Sequence, residues 1–332
     1  MKGFQKDQIM NDEVSKSQSE SDGIDRRNFL GCMAWAGTGL LWTLSGGVPT
    51  AKLLAQGLQS AHPASAKTED FAFVQISDSH IGFNKAANQD VAGTLTKAIE
   101  RASLPGQGSK SPDFLIHTGD ITQNSKAAEF DTASQIIKGF KSEVFYVPGE
   151  HDFIDDGDEY KHRFGKGTLG NGWYSFNHKG VHFVGLNNCR QVDGMGNMGA
   201  EQLAWLKSDL SGLSASEPIV VFAHIPLWMV YEKWGWGTAD SEQALSFLKR
   251  FGSVTVLNGH IHQVVQKIEG NVQFHTAMST AFPQPAPGSA PNPGPMTVPA
   301  GQLQAVLGVT DVQIVHGHHH LAVVDHTLAQ PS

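Results

Sequence analysis

The sequence predicts an α/β protein built from two mixed β-sheets packed face to face, with helices outside. Three observations carry that reading. Apolar, β-branched runs alternate with amphipathic stretches from residue 71 to residue 147, and later runs are paired across short Gly-containing turns. Segments rich in Asp and His follow the buried runs, where strands open into loops. Alternation of strand and helix periods argues for a layered sheet with helices on its faces, and tight turns argue for hairpins.

Residues 71–76 read as the first buried strand and 87–103 as the amphipathic helix after it. Residues 113–117 form the second strand, 126–139 a helix, and 144–147 the third strand. The texture then changes. Runs at 173–178 and 181–187 are joined by Lys179-Gly180, a pair suited to a two-residue hairpin turn. A helix at 199–210, a strand at 219–223, a helix at 240–250 and a strand at 254–257 follow. Runs at 263–268 and 272–277 flank Glu269-Gly270-Asn271 as a second hairpin. Residues 282–299 are rich in Pro and Gly and almost uncharged, which reads as an extended surface excursion within the domain. Strands at 312–315 and 321–325 are expected to complete the second sheet. No internal repeat is present.

The N-terminal region has a different character. Asp25-Arg26-Arg27-Asn28-Phe29-Leu30 is a twin-arginine pattern, and a weakly apolar stretch follows over 31–48. Gly, Thr and Ser interrupt that stretch, which makes it too short and too polar for a stable membrane anchor. Small residues Ala64-Ser65-Ala66 offer a cleavage site, with 51–55 as an earlier alternative. The region resembles a twin-arginine signal peptide, which implies the twin-arginine export machinery as a partner and a periplasmic or secreted product. The expected division is a signal and linker over 1–66 and one domain over 67–332.

The chain carries 24 Lys and Arg against 32 Asp and Glu, a net charge of −8, and loss of 1–66 leaves that balance unchanged. A mildly acidic chain without a basic cluster gives no electrostatic reason to expect nucleic-acid binding. Only Cys189 lies beyond residue 66, so the domain holds no internal disulfide. A single thiol suits folding in a reducing compartment.

Chemistry is concentrated in five segments: Asp78-Ser79-His80, Gly119-Asp120, Gly149-Glu150-His151-Asp152, Ala223-His224 and Gly259-His260-Ile261-His262. Each follows an apolar run, so each is expected in the crevice beyond the strand ends. Asp78 and His80, two apart on one loop, can reach the same ion. Asp120 has two carboxylate oxygens and can bridge two ions, and His260 and His262 can serve different ones. Several loops delivering carboxylates and imidazoles to one edge is how a chain builds a two-metal hydrolytic centre.

From about residue 71 to residue 325 these segments resemble the calcineurin-like metallophosphoesterases. That family's pattern is Asp-x-His, Gly-Asp, Gly-Asn-His-Asp/Glu, a lone His, then Gly-His-x-His. The resemblance implies a four-layer α/β/β/α sandwich and a small phosphate ester as substrate. It also implies two divalent or mixed-valence ions, with Mn, Fe and Zn all compatible with Asp and His ligands. By the same resemblance one ion takes Asp78, His80, Asp120 and His262, and the other Asp120, residue 150, His224 and His260. The same resemblance implies that a water bridging the ions would attack phosphorus, and that His151 would contact the phosphate and protonate the leaving oxygen. Asp152 is expected to fix the His151 tautomer and hold the ring cationic.

One position departs from the pattern: Glu150 stands where the family has Asn. Glu is longer, negative at neutral pH and has no donor. It either strengthens the second ion's ligand set or repels an anionic ester, and a dianionic monoester suffers more than a monoanionic diester. The expected activity is therefore hydrolysis of small phosphodiesters, with phosphomonoester hydrolysis, or a non-hydrolytic metal-binding role in the periplasm, as alternatives. No Tyr follows Gly119-Asp120, which argues against a purple acid phosphatase.

The remaining candidates are weaker. His117 reads as structural, and His316, His318, His319 and His320 as a solvent-facing turn. Trp228, Tyr231, Trp234 and Trp236 form a Gly-broken aromatic loop that either caps the core or walls the substrate cleft, with the wall slightly preferred. Asn187 and Asn188 fit a cleft lining and a turn equally well.

Overall fold

The computed structural model describes residues 40–45, 48–53, 69–105, 111–189, 194–315 and 321–329. The Asp25–Leu30 pattern, the Ala64–Ala66 cleavage site and the histidines at 316–320 lie outside the described residues. Two compact units are present, Met1–Pro63 and Ala64–Ser332. Within the first, β1 (Leu40–Ser45) pairs antiparallel with β2 (Val48–Leu53).

In the second unit one sheet holds β3 (Phe71–Ile76), β4 (Phe114–His117) and β5 (Glu143–Tyr146) as parallel neighbours. The other runs through β6 (Tyr174–His178), β7 (Val181–Gly185), β8 (Ile219–Phe222), β9 (Val254–Asn258), β10 (Gln266–Glu269) and β11 (Val272–Thr276), in the order β10-β11-β9-β8-β7-β6. Its centre is parallel, and the two hairpins supply its antiparallel edges. Lys179 and Gly180 both have positive φ, 45° and 80°, the turn that matches strand twist.

Residues 312–315 and 321–325 do not complete the second sheet. They belong to β12 (Gly308–Ile314) and β13 (Ala322–Thr327), which extend the first sheet in the order β13-β12-β3-β4-β5. Thr310 to Ile314 pair antiparallel with Gln75 to Phe71, covering the β3 edge that the parallel strands leave bare.

Strand alternation places a core on each face of both sheets. Phe71, Phe73, Phe114 and Ile116 meet Val181, Phe183, Val220, Phe222 and Leu257 between the sheets. Val74, Ile76 and Leu115 point the other way, onto α1 (Val91–Ala102) and α2 (Ala127–Ile137). Val184, Ile219 and Val221 point outward beneath α4 (Gly199–Ser211) and α5 (Ser241–Leu248). The result is a four-layer α/β/β/α sandwich. Truncating a large buried ring such as Phe73, stacked 5.0 Å from Phe114, costs about 3–5 kcal/mol.

Helix α1 starts later than residue 87 because Asp90 caps it, accepting from Gly93 N at 2.8 Å. Val91, Leu95, Ala98, Ile99 and Ala102 then bury one face. Helix α3 (Asp158–Phe164) has too few residues for a periodic signal, and Tyr160 anchors it in the core. A single turn, α6 (Leu303–Val306), precedes β12. No helix among the described residues is long and apolar enough to cross a membrane.

Candidate metal centre

All five Asp/His segments open from the C-terminal ends of parallel strands β3, β4, β5, β8 and β9. Backbone hydrogen bonds zip the loops together: Asp78 N to Gly119 O (3.0 Å), His80 N to Asp120 O (2.9 Å) and Gly259 N to His224 O (2.9 Å). Asp78, His80, Asp120, His260 and His262 hold left-handed backbone, with φ between 43° and 70°. Such a conformation costs a non-glycine residue roughly 1–2 kcal/mol, so the loops are forced into shape by their neighbours. Two glycines permit the close approach. A Cβ on Gly149 would collide with the Asp120 carboxylate and backbone nitrogen, and one on Gly259 with the Ser77 hydroxyl.

The side chains converge as two overlapping donor clusters. In one, His262 Nε2 lies 3.2 Å from His80 Nε2 and 3.3 Å from Asp78 Oδ1. In the other, Glu150 Oε2 lies 2.9 Å from His224 Nε2, and Glu150 Oε1 lies 2.9 Å from His260 Nδ1. Asp120 joins them: its Oδ2 is 3.4 Å from His80 Nε2 and 3.4 Å from His224 Nε2. Asp78, His80, Asp120, His224 and His262 are buried.

The donor chemistry fits cations. His262 Nδ1 lies 2.6 Å from Phe282 O and His224 Nδ1 lies 2.7 Å from Thr118 O. A carbonyl only accepts, so each ring carries a proton on Nδ1 and turns Nε2 inward. His224 Nε2, Glu150 Oε2 and both ring nitrogens of His260 are buried without an aligned hydrogen-bond partner, a costly arrangement unless an ion takes them up. Burial pushes the His80 imidazole down to about 3, which keeps it neutral, as a ligand must be. Burial alone would raise the Asp78 carboxyl, but His262, His224 and His80 hold it well below the carboxylate range. Burial likewise opposes charge on Glu150, and His260 and His224 outweigh it.

The model of the calcineurin-like phosphoesterase family matches residues 71–264, which span every one of these donors. The chain belongs to the calcineurin-like phosphoesterase family. Membership makes it a metal-dependent hydrolase of phosphoric esters. It is 25% identical over 219 residues to a probable glycerophosphodiester phosphodiesterase of Arcobacter nitrofigilis, covering 62% of this chain and 77% of that protein. It is 27% identical over 220 residues to a 3′,5′-cyclic adenosine monophosphate phosphodiesterase of Haemophilus influenzae, covering 63% and 76%. The structure of a dimetal phosphatase from Danio rerio shares the fold, with a TM-score of 0.51 and 15% identity over 78% of this chain and 99% of that one.

Against this family's pattern, Glu150 opens a 3₁₀ turn (Glu150–Asp152) and reaches the cluster where the pattern has Asn. The next residue, His151, stands 4.9 Å ring to ring from His80 and is only half-buried. Its Nδ1 lies 2.8 Å from Gln123 O, which can only accept, so Nδ1 is the protonated nitrogen in the neutral ring. Burial disfavours the charged ring, but Asp120 and Glu150 raise its pKa above the ordinary value.

Asp152 does not fix the His151 tautomer as expected, because its carboxylate makes no hydrogen bond to that ring, although its charge is among those that raise the His151 pKa. The carboxylate accepts from Gly149 N, Ile121 N, Thr122 N and Thr122 Oγ1 at 2.9–3.0 Å, lashing the Asp120 loop to the Glu150 turn. Burial, with Asp120 nearby, pushes its pKa up to about 7. The carbonyl of Gln123 sets the His151 tautomer instead. Sequence inspection misses Gln123, Thr118 and Phe282 because they act on the histidines through backbone oxygens, which every residue has.

The aromatic loop also reads differently. Trp228 packs 5.0 Å from Phe274 in the outer core of the second sheet and Trp236 is buried, so both cap the core and neither walls a cleft. Tyr231 and Trp234 are half-buried, edge to face at 5.1 Å. Asn188 bonds Ile225 O and Thr238 Oγ1, and Asn187 bonds Asn171 O, so both hold turns. His117 is structural as expected, buried between Ser79 Oγ at 2.8 Å and the Gly119 N–H at 3.2 Å.

Proposed function

We propose that this family member hydrolyses small phosphodiesters, with one ion held by Asp78, His80, Asp120 and His262 and a second by Asp120, Glu150, His224 and His260. The observation that carries this is the placing of Asp120 Oδ2 at 3.4 Å from a nitrogen of each cluster. Divalent ions bound there supply Lewis acidity to the ester and acidify a water. The protein's own groups do the rest. Left-handed loops hold the ligands in place before any substrate arrives, so no reorganisation is needed on binding. His151, fixed through Nδ1 by Gln123, keeps Nε2 free to carry a proton and release it to the leaving oxygen. Glu150 adds a third carboxylate to Asp78 and Asp120, which disfavours a dianionic ester more than a monoanionic one.

The test is hydrolysis of bis(p-nitrophenyl) phosphate and p-nitrophenyl phosphate, with ion content measured on the same sample. Diester turnover that chelation abolishes and Mn²⁺ or Zn²⁺ restores is expected. Faster monoester turnover overturns the diester assignment, and two bound ions with no turnover of either ester overturns the hydrolytic one.

We further propose export by the twin-arginine route to the periplasm or beyond. Arg26-Arg27, the apolar stretch 31–48 and the small residues before 67 support this. Changing both arginines to lysine is expected to leave the protein in the cytoplasm. Unchanged export removes the proposal.

A further inference from the structure

Beyond the residues matched by the family, the chain leaves β11 and passes directly beneath the donor clusters. Ser279, Thr280 and Ala281 are fully buried and Phe282 nearly so. The Ser279 hydroxyl donates to Asp78 O (2.8 Å) and accepts from Ala281 N (2.8 Å) and Phe282 N (3.2 Å). One hydrogen and two lone pairs are all that a hydroxyl has, so its capacity is filled. Thr280 N donates to Ser77 O (3.0 Å) and Thr280 Oγ1 to Ser79 Oγ (3.0 Å), binding the same turn to the Asp78 loop. The turn ends by aiming Phe282 O at His262 Nδ1 across 2.6 Å, and the Phe282 ring lies 4.7 Å from the His262 ring and 4.8 Å from that of His80.

We propose that Ser279 is a positioning residue for the cluster of Asp78, His80 and His262. Its hydroxyl closes the turn that sets Phe282 O, and that carbonyl decides which nitrogen of His262 faces the ion. One atom thus holds the Asp78 backbone on one side and the tautomer of His262 on the other. Asp78 and His262 are brought to the site by β3 and β9, strands of different sheets; the His260 N–H donates to the Asp78 carboxylate (3.1 Å), and the Ser279 turn ties the same two loops from the other side. Outer groups that orient metal-binding histidines typically change ion affinity by about 10–100-fold when removed.

The inference rests on Asp78 and His262 as ion ligands, so its first readout is taken without ions. Long-range ¹H–¹⁵N spectra of the ion-free protein, with His262 assigned by His262→Gln, report which ring nitrogen is protonated. The wild-type ring is expected to be protonated on Nδ1, and a wild-type ring protonated only on Nε2 overturns the proposal without any variant. Ser279→Ala is expected to populate the other tautomer and to weaken Mn²⁺ binding by about tenfold or more. Ser279→Thr, which restores the hydroxyl, is expected to recover both. Wild-type tautomer and Mn²⁺ affinity in Ser279→Ala overturn the proposal, as does a Thr variant as impaired as the Ala variant. If the wild type shows the Nδ1 tautomer but binds neither Mn²⁺ nor Zn²⁺, the functional reading fails while the positioning of His262 stands.

Discussion

The backbone N–H of His151 donates to Oδ1 of Asp120 across 2.9 Å. That bond commits one oxygen of the carboxylate and leaves Oδ2 to face both donor clusters. Asp120 should therefore matter to both ions at once. Asp120→Asn is expected to lose both, whereas Asp78→Asn and Glu150→Gln each lose mainly one. Ion stoichiometry by plasma mass spectrometry after gel filtration checks this, and loss of a single ion from Asp120→Asn would refute the shared role.

For His151 the geometry separates binding from chemistry, because the ring is held by Gln123 and sits beside the clusters. His151→Ala is expected to lower diester kcat by about 10²–10⁴ with ion content retained. Full activity in the variant would remove His151 from the proton step.

Glu150 separates the ester classes. Glu150→Asn removes one negative charge beside the reacting phosphate, which is expected to raise the monoester-to-diester ratio of kcat/KM by on the order of tenfold. The two chromogenic esters measure that ratio, and no change would mean that Glu150 acts on the ion alone.

Away from the centre, Asp209 on α4 accepts from His182 Nε2 (2.9 Å) and Ser175 Oγ (2.7 Å) on the outer face of the second sheet. Burial works to raise its pKa, but these two bonds outweigh burial and hold it below the ordinary value. A folded pKa below the unfolded value of about 3.9 contributes stability that is present above that pH and lost as pH falls through the folded pKa. Asp209→Asn is expected to cost about 1–3 kcal/mol at pH 7 and progressively less below about pH 4. Urea unfolding of both proteins at pH 7 and pH 3 tests it, and an equal difference at both would sink the assignment.

The sequence carries the strands and the donors because both have strong side-chain signatures. Short apolar runs mark β3, β4, β7, β8 and β9, buried on both faces, and Asp or His after β3, β4, β5, β8 and β9 marks the centre. What it does not carry follows from the same logic. The sheet that takes β12 is decided by the bare edge of β3, a property of the assembled sheet, and Asp311 inside the strand blurs its apolar pattern. Asp152 stands one residue from His151, yet the 3₁₀ turn sends its carboxylate to the Asp120 loop instead of the ring. The indole of Trp228 suits a cleft wall and a core cap equally, and only packing against Phe274 decides between them.

The pairing of β12 with β3 also bears on synthesis. A ribosome delivers β3 first and β12 roughly 230 residues later, so the first sheet waits with an unpaired edge through most of translation. An unpaired edge is a template for other chains, which makes the nascent protein dependent on being shielded until its last strands emerge. Premature stop codons between positions 263 and 310 should accordingly give insoluble product instead of a shortened enzyme, although every donor from Asp78 to His262 would already have been made.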